Sequence, residues 1–446
     1  MIPLNFYKNK RVGIIGCGKT GASVADALIA SGAEVKVHDD FAITSGSYQI
    51  LRRQDIHELG ILIVSPGISI LWPNTHPMVH IARENSIPIL NDVDLFQQHM
   101  RQKKNICVTG TNGKSTTAAL IYHVFNYTGK ITDLGGNFGN PVLSLAPDAD
   151  FFILELSSYQ LESCNILGFD TAILLNITPD HLRRHGGIEG YINSKQRIFA
   201  NFYEKSTAII GVDDGHCFKI FNFLKSINHP CVVPISGKHV PAAGVGWSEN
   251  KLIDNRLNSY EFVCERNPIL DGNHNRQNIA AAYMACMVNG LDRESFCNGL
   301  LSFKGLEHRQ EIVAYLDNVL YVNDSKATNA DSVEQALERF DKIIWILGGR
   351  PKEDSIEKLA KYFNKIQFAL LIGEVAETWS ELLTKYGVKN EIAQTLDIAV
   401  RRSGEISKIY NVDVVLLAPA CASFDQFKNF EERGDKFKQL ICAEKC

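Results

Sequence analysis

The chain has 446 residues, of which 45% are hydrophobic and 22% charged, enough for about three domains of roughly 150 residues with ordinary cores. Its formal net charge of -4 gives no electrostatic footprint for nucleic acid, so any phosphate site must be built locally. Eleven cysteines without a C-x-x-C pair argue against a disulfide framework or zinc knuckle, and no apolar run approaches the roughly 20 residues that cross a bilayer, so a cytoplasmic chain that binds no membrane is expected.

The first predicted strand, RVGIIG, runs into GIIGCGKTG, residues 13–21, which satisfies two nucleotide-binding spacings at once. Read from Gly13 it is G-x-x-x-x-G-K-T; read from Gly16 it is G-x-G-x-x-G. A phosphate loop starts where its strand ends, because successive backbone N–H groups must wrap phosphate oxygens. Val12, Ile14 and Ile15 place Gly13 inside the strand, so the loop starts at Gly16 and the second spacing is the one that fits. The helix ASVADALIA and a second strand ending at Asp39 follow, Asp39 being placed to meet a ribose or base. This is a nucleotide-diphosphate site at a helix N-terminus.

Polar QQHMRQKKN, residues 97–105, precedes a fresh strand, NICVT, and the loop GTNGKST, residues 110–116. Gly113, Lys114 and Ser115 at a helix start supply backbone donors, a cation and a hydroxyl for magnesium. Beyond the ends of later strands lie Asn137, Glu155 after FFILE, and Asn176, Asp180 and His181 after TAILL. Open α/β sheets bind ligands at such strand ends, and a buried carboxylate there is a hard ligand for Mg²⁺. In GYINSKQRIFANF, helical by spacing, Lys195 lies three residues from both Ile192 and Ile198, hence on the inward face. Such a lysine can snorkel to water. Alternatively, desolvation leaves a fraction of it neutral, and a neutral amine can add CO₂ to give an anionic carbamate that binds metal as a carboxylate does.

Further buried-type runs, KIIWILGG, FALLIG and DVVLLAPA, open another series after Phe303. Apolar runs alternating with helix-length segments mean parallel sheets. The expectation is an α/β chain of three domains: Rossmann-like 1–97, a central P-loop-type mononucleotide-binding domain with a mostly parallel sheet at 98–303, and Rossmann-like 304–446.

Taken in order, GTNGKST, LELSSYQLE, NITPDH, YINSKQRIF, GNHNRQN, EHRQE, NDSKATN and SFDQFKNFEERG resemble the motifs of the Mur ligases of bacterial peptidoglycan synthesis. The resemblance implies an ATP-dependent amide ligase that activates a carboxylate as an acyl phosphate. The nearest motifs imply UDP-N-acetylmuramoyl-L-alanine and D-glutamate as substrates. It further implies that Gly110, Thr111, Asn112, Gly113, Lys114, Ser115, Thr116, Asn275, Asn278, Arg309 and Asp324 meet ATP, Lys114 with a catalytic role. Ser115 and Glu155 would bind one Mg²⁺, and His181 and carbamylated Lys195 would serve a second. Gly18, Lys19, Thr20 and Gly21 would cradle the UDP diphosphate, with Asp39 near the uracil and Asn137 near the reacting end. Thr328, Lys352, Ser423 and Phe430 would bind the incoming amino acid. Arg350 and Pro351 depart from the expected acid and small residue beside Lys352. A monomer is expected. The alternatives are a family member adding another amino acid and, in a different class, a nicotinamide-dependent oxidoreductase using GCGKTG.

Overall fold

The structure is a computed structural model that describes residues 1–41, 48–71, 74–227, 229, 231–256, 261–265, 267, 270, 272–351 and 355–443. Three sheets follow one another along the chain. In the first, β1 (Arg11–Ile15), β2 (Glu34–His38), β3 (Gln49–Ile50), β4 (Ile61–Val64) and β5 (Ile89–Leu90) pair in the order β3-β2-β1-β4-β5, all parallel. β4 reads ILIV and is buried throughout, as a strand covered on both faces must be.

The second sheet has nine strands, β6 (Lys104–Thr109), β7 (Thr132–Gly136), β8 (Phe151–Glu155), β9 (Thr171–Leu174), β10 (Thr207–Gly211), β11 (Val232–Ile235), β12 (Val245–Ser248), β13 (Lys251–Asp254) and β14 (Glu261–Glu265). Their order is β14-β13-β12-β11-β10-β9-β6-β8-β7, so the phosphate-loop strand β6 is central, between β9 and β8. The third sheet, in the order β15-β16-β20-β17-β18-β19, comprises β15 (Glu311–Leu316), β16 (Val319–Asn323), β17 (Ile343–Gly348), β18 (Ile366–Ile372), β19 (Asn390–Gln394) and β20 (Val414–Leu417).

Two antiparallel segments depart from the parallel expectation. β12, β13 and β14 form a meander on one edge of the second sheet, and β15 with β16 forms a hairpin. Asp317 and Asn318 both take positive φ between β15 and β16, the conformation a two-residue hairpin turn needs and short polar side chains tolerate. The helix expected through Phe202 ends sooner: Ile188–Gln196 is α-helical and Arg197–Phe199 tightens to a 3-10 turn. There the Arg197 Nε donates to Leu161 O at 2.7 Å.

The chain divides into two compact units, Met1–Asn267 with Asn273–Phe303, and Pro268–Gly272 with Lys304–Cys446. Within the first unit the two sheets share a core in which Val93 and Phe96 are clustered with Phe152 and Leu161. Polar stitches also join them. Ser23 and Ser144 hydroxyls lie 2.8 Å apart, and Asn91 Nδ2 donates to Gln160 O at 2.9 Å. Arg184 Nη2 reaches both Ile68 O, at 2.9 Å, and Glu162 Oε2, at 3.0 Å.

Candidate active site

The N-terminal glycine turn explains itself through steric contact. A Cβ on Gly13 would lie 2.5 Å from Leu59 Cδ1, so this glycine is a packing residue inside β1. A Cβ on Gly21 would lie 1.8 Å from Gly16 O, where the helix Lys19–Ala30 starts against the turn. Gly18 is the N-cap and nothing stands over its Cα, leaving the helix amides approachable. Lys19 Nζ donates to Gly139 O at 3.0 Å, across to the loop that carries Asn137. Thr20 is in the first turn of that helix. Asp39 takes the Cys17 amide on Oδ2 at 2.6 Å and the Phe41 amide on Oδ1 at 3.0 Å, so it orders the turn as well as flanking it.

Nearby, His38, Asp40 and His76 bring their ligand-type atoms within 4.8 Å of one another. His76 Nδ1, however, accepts the Met78 amide at 3.2 Å and caps a helix. The ring proton therefore lies on Nε2, facing Asp40 Oδ1 at 3.4 Å, and the cluster is a hydrogen-bonded one. Its bond from His38 is the main influence holding the Asp40 carboxyl below its usual range.

The second loop sits at the end of β6. Gly110 and Gly113 take positive φ, 156° and 85°, and the helix Lys114–Tyr127 starts from Gly113. A Cβ at Gly113 would strike Asn278 Oδ1 at 2.2 Å. Asn278 in turn donates to Asn275 Oδ1 at 3.1 Å, so both asparagines expected to meet ATP stand beside this loop. Asn176 fastens the loop from beneath, accepting the Asn112 amide at 2.8 Å while its Nδ2 donates to Asn112 O at 3.1 Å. Thr111 is held through its hydroxyl, 3.1 Å from both Thr178 O and Tyr191 Oη. Thr116 lies in the helix.

Glu155, 1% exposed at the end of β8, accepts from Ser115 Oγ at 2.5 Å on Oε2 and from Asn137 Nδ2 at 2.8 Å on Oε1. This hydroxyl and carboxylate pair is a hard-oxygen donor set that suits Mg²⁺. Lys195 is also 1% exposed. Its Nζ donates to Gly110 O at 2.7 Å, the same carbonyl that Lys114 Nζ reaches at 2.9 Å. Burial, and then the Lys114 charge, push the Lys195 ammonium well below its ordinary pKa; snorkelling to water is not what this side chain does. His181 caps the short helix Leu182–His185 at φ 52°. Its ring lies 5.0 Å from that of Tyr159. Burial lowers its pKa, opposed by Asp180 and reinforced by His185, Lys195 and Lys114.

In the C-terminal unit, the remaining expected residues gather at the carboxyl ends of parallel strands. Asp324 follows β16, is buried, and accepts the Gln310 amide at 3.2 Å; burial raises its pKa to about 7. Arg309 acts on it electrostatically in the opposite sense. Thr328 lies four residues further on, its amide on Lys326 O at 2.8 Å. Ser423 is buried after β20. Phe430 begins the helix Phe430–Ala443, with Lys326 Nζ 3.9 Å from its ring centroid. Arg350 pairs with Glu374 at 3.0 Å, whereas Lys352 lies outside the described residues.

Sequence reasoning missed several supports. Gln277 joins Asn176, at 3.2 Å, to Asp213, at 3.0 Å; these residues are far apart in sequence, and only the helical position of Gln277 beside Asn278 hinted at it. Arg184, Tyr159 and Arg433 gave no distinguishing signal within charged or aromatic helix faces.

Comparison with known proteins bears on what this arrangement does. Residues 108–286 match the Mur ligase middle domain, and residues 308–421 match the Mur ligase glutamate ligase domain. The chain is 42% identical, over 99% of its length and 98% of the relative's, to the UDP-N-acetylmuramoylalanine--D-glutamate ligase of Paramagnetospirillum magneticum. It is 40% identical to the protein of the same name from Rhodospirillum rubrum, over 99% of this chain and 96% of that one. Among solved structures it shares the fold of the UDP-N-acetylmuramate-alanine ligase of Thermotoga maritima, with TM-score 0.61, 17% identity and coverage of 98% of this chain and 100% of that one.

Proposed function

The chain belongs to the Mur ligase family, and from that membership we propose that it joins D-glutamate to UDP-N-acetylmuramoyl-L-alanine, forming ADP and phosphate from ATP. The reaction suits a fold built to align phosphates. A carboxylate is a poor electrophile; once its oxygen has taken the γ-phosphoryl group from ATP, the acyl carbon bears a good leaving group. The amine nitrogen of D-glutamate then attacks that carbon, phosphate departs, and the ammonium proton is lost. Catalysis is mostly alignment and neutralisation of phosphate charge.

In this reading Lys114 and the amides around Gly113 hold the β- and γ-phosphates. Ser115 and Glu155 hold Mg²⁺, which when bound neutralises charge on the phosphate oxygens. Lys195 as a carbamate and His181 serve a second Mg²⁺. Asn137, fixed on Glu155, orients the acceptor carboxylate. Gly18, Lys19, Thr20 and Gly21 cradle the UDP diphosphate, with Asp39 beside the uracil. Asn275, Asn278, Arg309 and Asp324 meet the nucleotide, and Thr328, Lys352, Ser423 and Phe430 take D-glutamate. Residues 1–97, 98–303 and 304–446 act as the UDP-sugar, ATP and amino-acid domains of a cytoplasmic monomer. Among the described residues no helix is long and apolar enough to cross a membrane.

The observation that carries the chemical reading is Glu155: a buried carboxylate with one oxygen on the phosphate loop and the other on Asn137. A panel of amino acids tests it. Phosphate release is expected only with ATP, Mg²⁺, UDP-N-acetylmuramoyl-L-alanine and D-glutamate together. Turnover with L-lysine or meso-diaminopimelate in place of D-glutamate overturns the assignment of the amino acid.

A further inference from the structure

Arg433 is a cation in an unusual position. Its side chain, 1% exposed, turns from the helix Phe430–Ala443 beneath the carboxyl ends of β16, β17 and β20. Nε donates to Ser325 Oγ at 2.9 Å, and Nη2 donates to Ser325 O at 2.9 Å and Cys421 O at 3.2 Å. Among the described residues, Nη1 is buried with no hydrogen-bond partner. It faces Gly349, where a Cβ would stand 3.4 Å from it. All three bonds end on neutral oxygens. Asp425 acts on the guanidinium only from a distance, one of its oxygens accepting the Glu374 amide at 3.2 Å. Burial lowers the Arg433 pKa to about 10, which leaves it charged at neutral pH.

A buried charge without a counter-ion is costly, and an orphaned donor calls for an explanation. Packing alone does not give one, because an apolar side chain of similar length would fill the space without stranding a charge. The three loops that Arg433 touches or underlies carry the residues assigned above to the incoming amino acid. Ser325 precedes Thr328 by three positions, Cys421 precedes Ser423 by two, and Gly349 precedes Lys352 by three. The Ser325 hydroxyl, polarised by Nε–H, donates in turn to Phe430 O at 2.8 Å.

We propose that Arg433 is a positioning residue whose uncompensated charge tunes these strand ends for a dicarboxylic amino acid, whose second carboxylate is the missing counter-charge. The guanidinium does not touch this anion; it acts through its field and through the Ser325 relay. A site for a neutral or cationic amino acid would gain nothing from such a charge. The inference rests on the amino-acid reading of this unit.

Steady-state kinetics of the full-length protein decide it. R433M removes the charge and fills the volume, and R433K keeps a charge but loses the fork. KM for D-glutamate should rise about tenfold or more in R433M, the equivalent of about 1.4 kcal/mol, with KM for ATP and for the UDP-sugar within about twofold, while R433K stays within about threefold of wild type on all three. Equal loss in R433M and R433K, or loss in kcat with KM for D-glutamate unchanged, would show a purely structural role and overturn the proposal. If R433M does not fold, R433K still decides: a tenfold rise in its KM for D-glutamate refutes the charge. Wild-type turnover of D-glutamate separates the two readings. If it fails, the amino-acid assignment falls first; if it holds and R433M keeps the wild-type KM, this inference alone is wrong.

Discussion

Replacing Asp324 with asparagine is expected to stabilise the C-terminal unit while removing activity. The Asp324 pKa stands at about 7 against an ordinary 3.8, and burial is the chief cause. A gap of about 3 units at 1.36 kcal/mol each sets a ceiling of about 4 kcal/mol on the cost of holding the ionised group in the fold. The folded pKa is raised, so the penalty is absent below the unfolded pKa. It grows as the unfolded chain ionises above pH 4 and is complete once pH passes the folded value near 7. Between pH 5 and 8 the wild type should lose about 2.5 kcal/mol from this one group, whereas D324N, whose side-chain oxygen still accepts the Gln310 amide, should lose none of it. For a unit of about 150 residues that is a difference of about 5–10 °C in Tm. Calorimetric melts of both proteins at the two pH values measure it, following the transition of the C-terminal unit. Parallel shifts in wild type and variant would refute the reasoning. Turnover should fall at least about tenfold in D324N, since an amide is a weaker acceptor than a carboxylate for a donor on the nucleotide.

Two more expectations follow from contacts in the first unit. Lys195→Ala should lose turnover and recover part of it with added formate or acetate, which would stand in for the carbamate; wild-type activity in the folded variant sinks that role. Gly21→Ala, whose new methyl would lie 1.8 Å from Gly16 O, should displace the diphosphate cradle and raise KM for the UDP-sugar by about tenfold or more, with KM for ATP unchanged. An equal rise in both constants would place the damage elsewhere.

How much of this could be read from residues alone varies with how local the cause is. Gly13 was legible as a strand residue because its neighbours in RVGII are apolar, and Leu59 packed against it makes the same point in space. The inward aim of Lys195 followed from apolar residues three positions away on either side, and its 2.7 Å bond to Gly110 O agrees with that aim. The strand series emerged because buried parallel strands read as unbroken apolar runs. The β12–β14 meander did not, for its runs VGWS, KLID and EFVCE are short and broken by polar and charged residues, and the Asp317-Asn318 turn signal is a weak one. Polar supports were harder still. Asn176 and Gln277 meet across 101 positions, and nothing in FEERGDKF distinguishes the one buried arginine from its solvated neighbours. Such partners are chosen by the fold after the core has formed.

The stitching of the first unit has a consequence for selectivity. Lys19 of the N-terminal glycine turn donates to Gly139 O, two residues past Asn137, while Asn137 holds Glu155; Arg184 ties the loop at Ile68 to Glu162 on the far side. Fixed at both ends, the span from the turn at Lys19 to Glu155 would act as a ruler on the proposed UDP-sugar. On the proposed reading, a UDP-sugar carrying one residue would present its carboxylate at Asn137, and one already lengthened by a second residue would overshoot. Rejection of the product would then be a matter of molecular length, set by the glycine turn at one end and by Asn137 at the other.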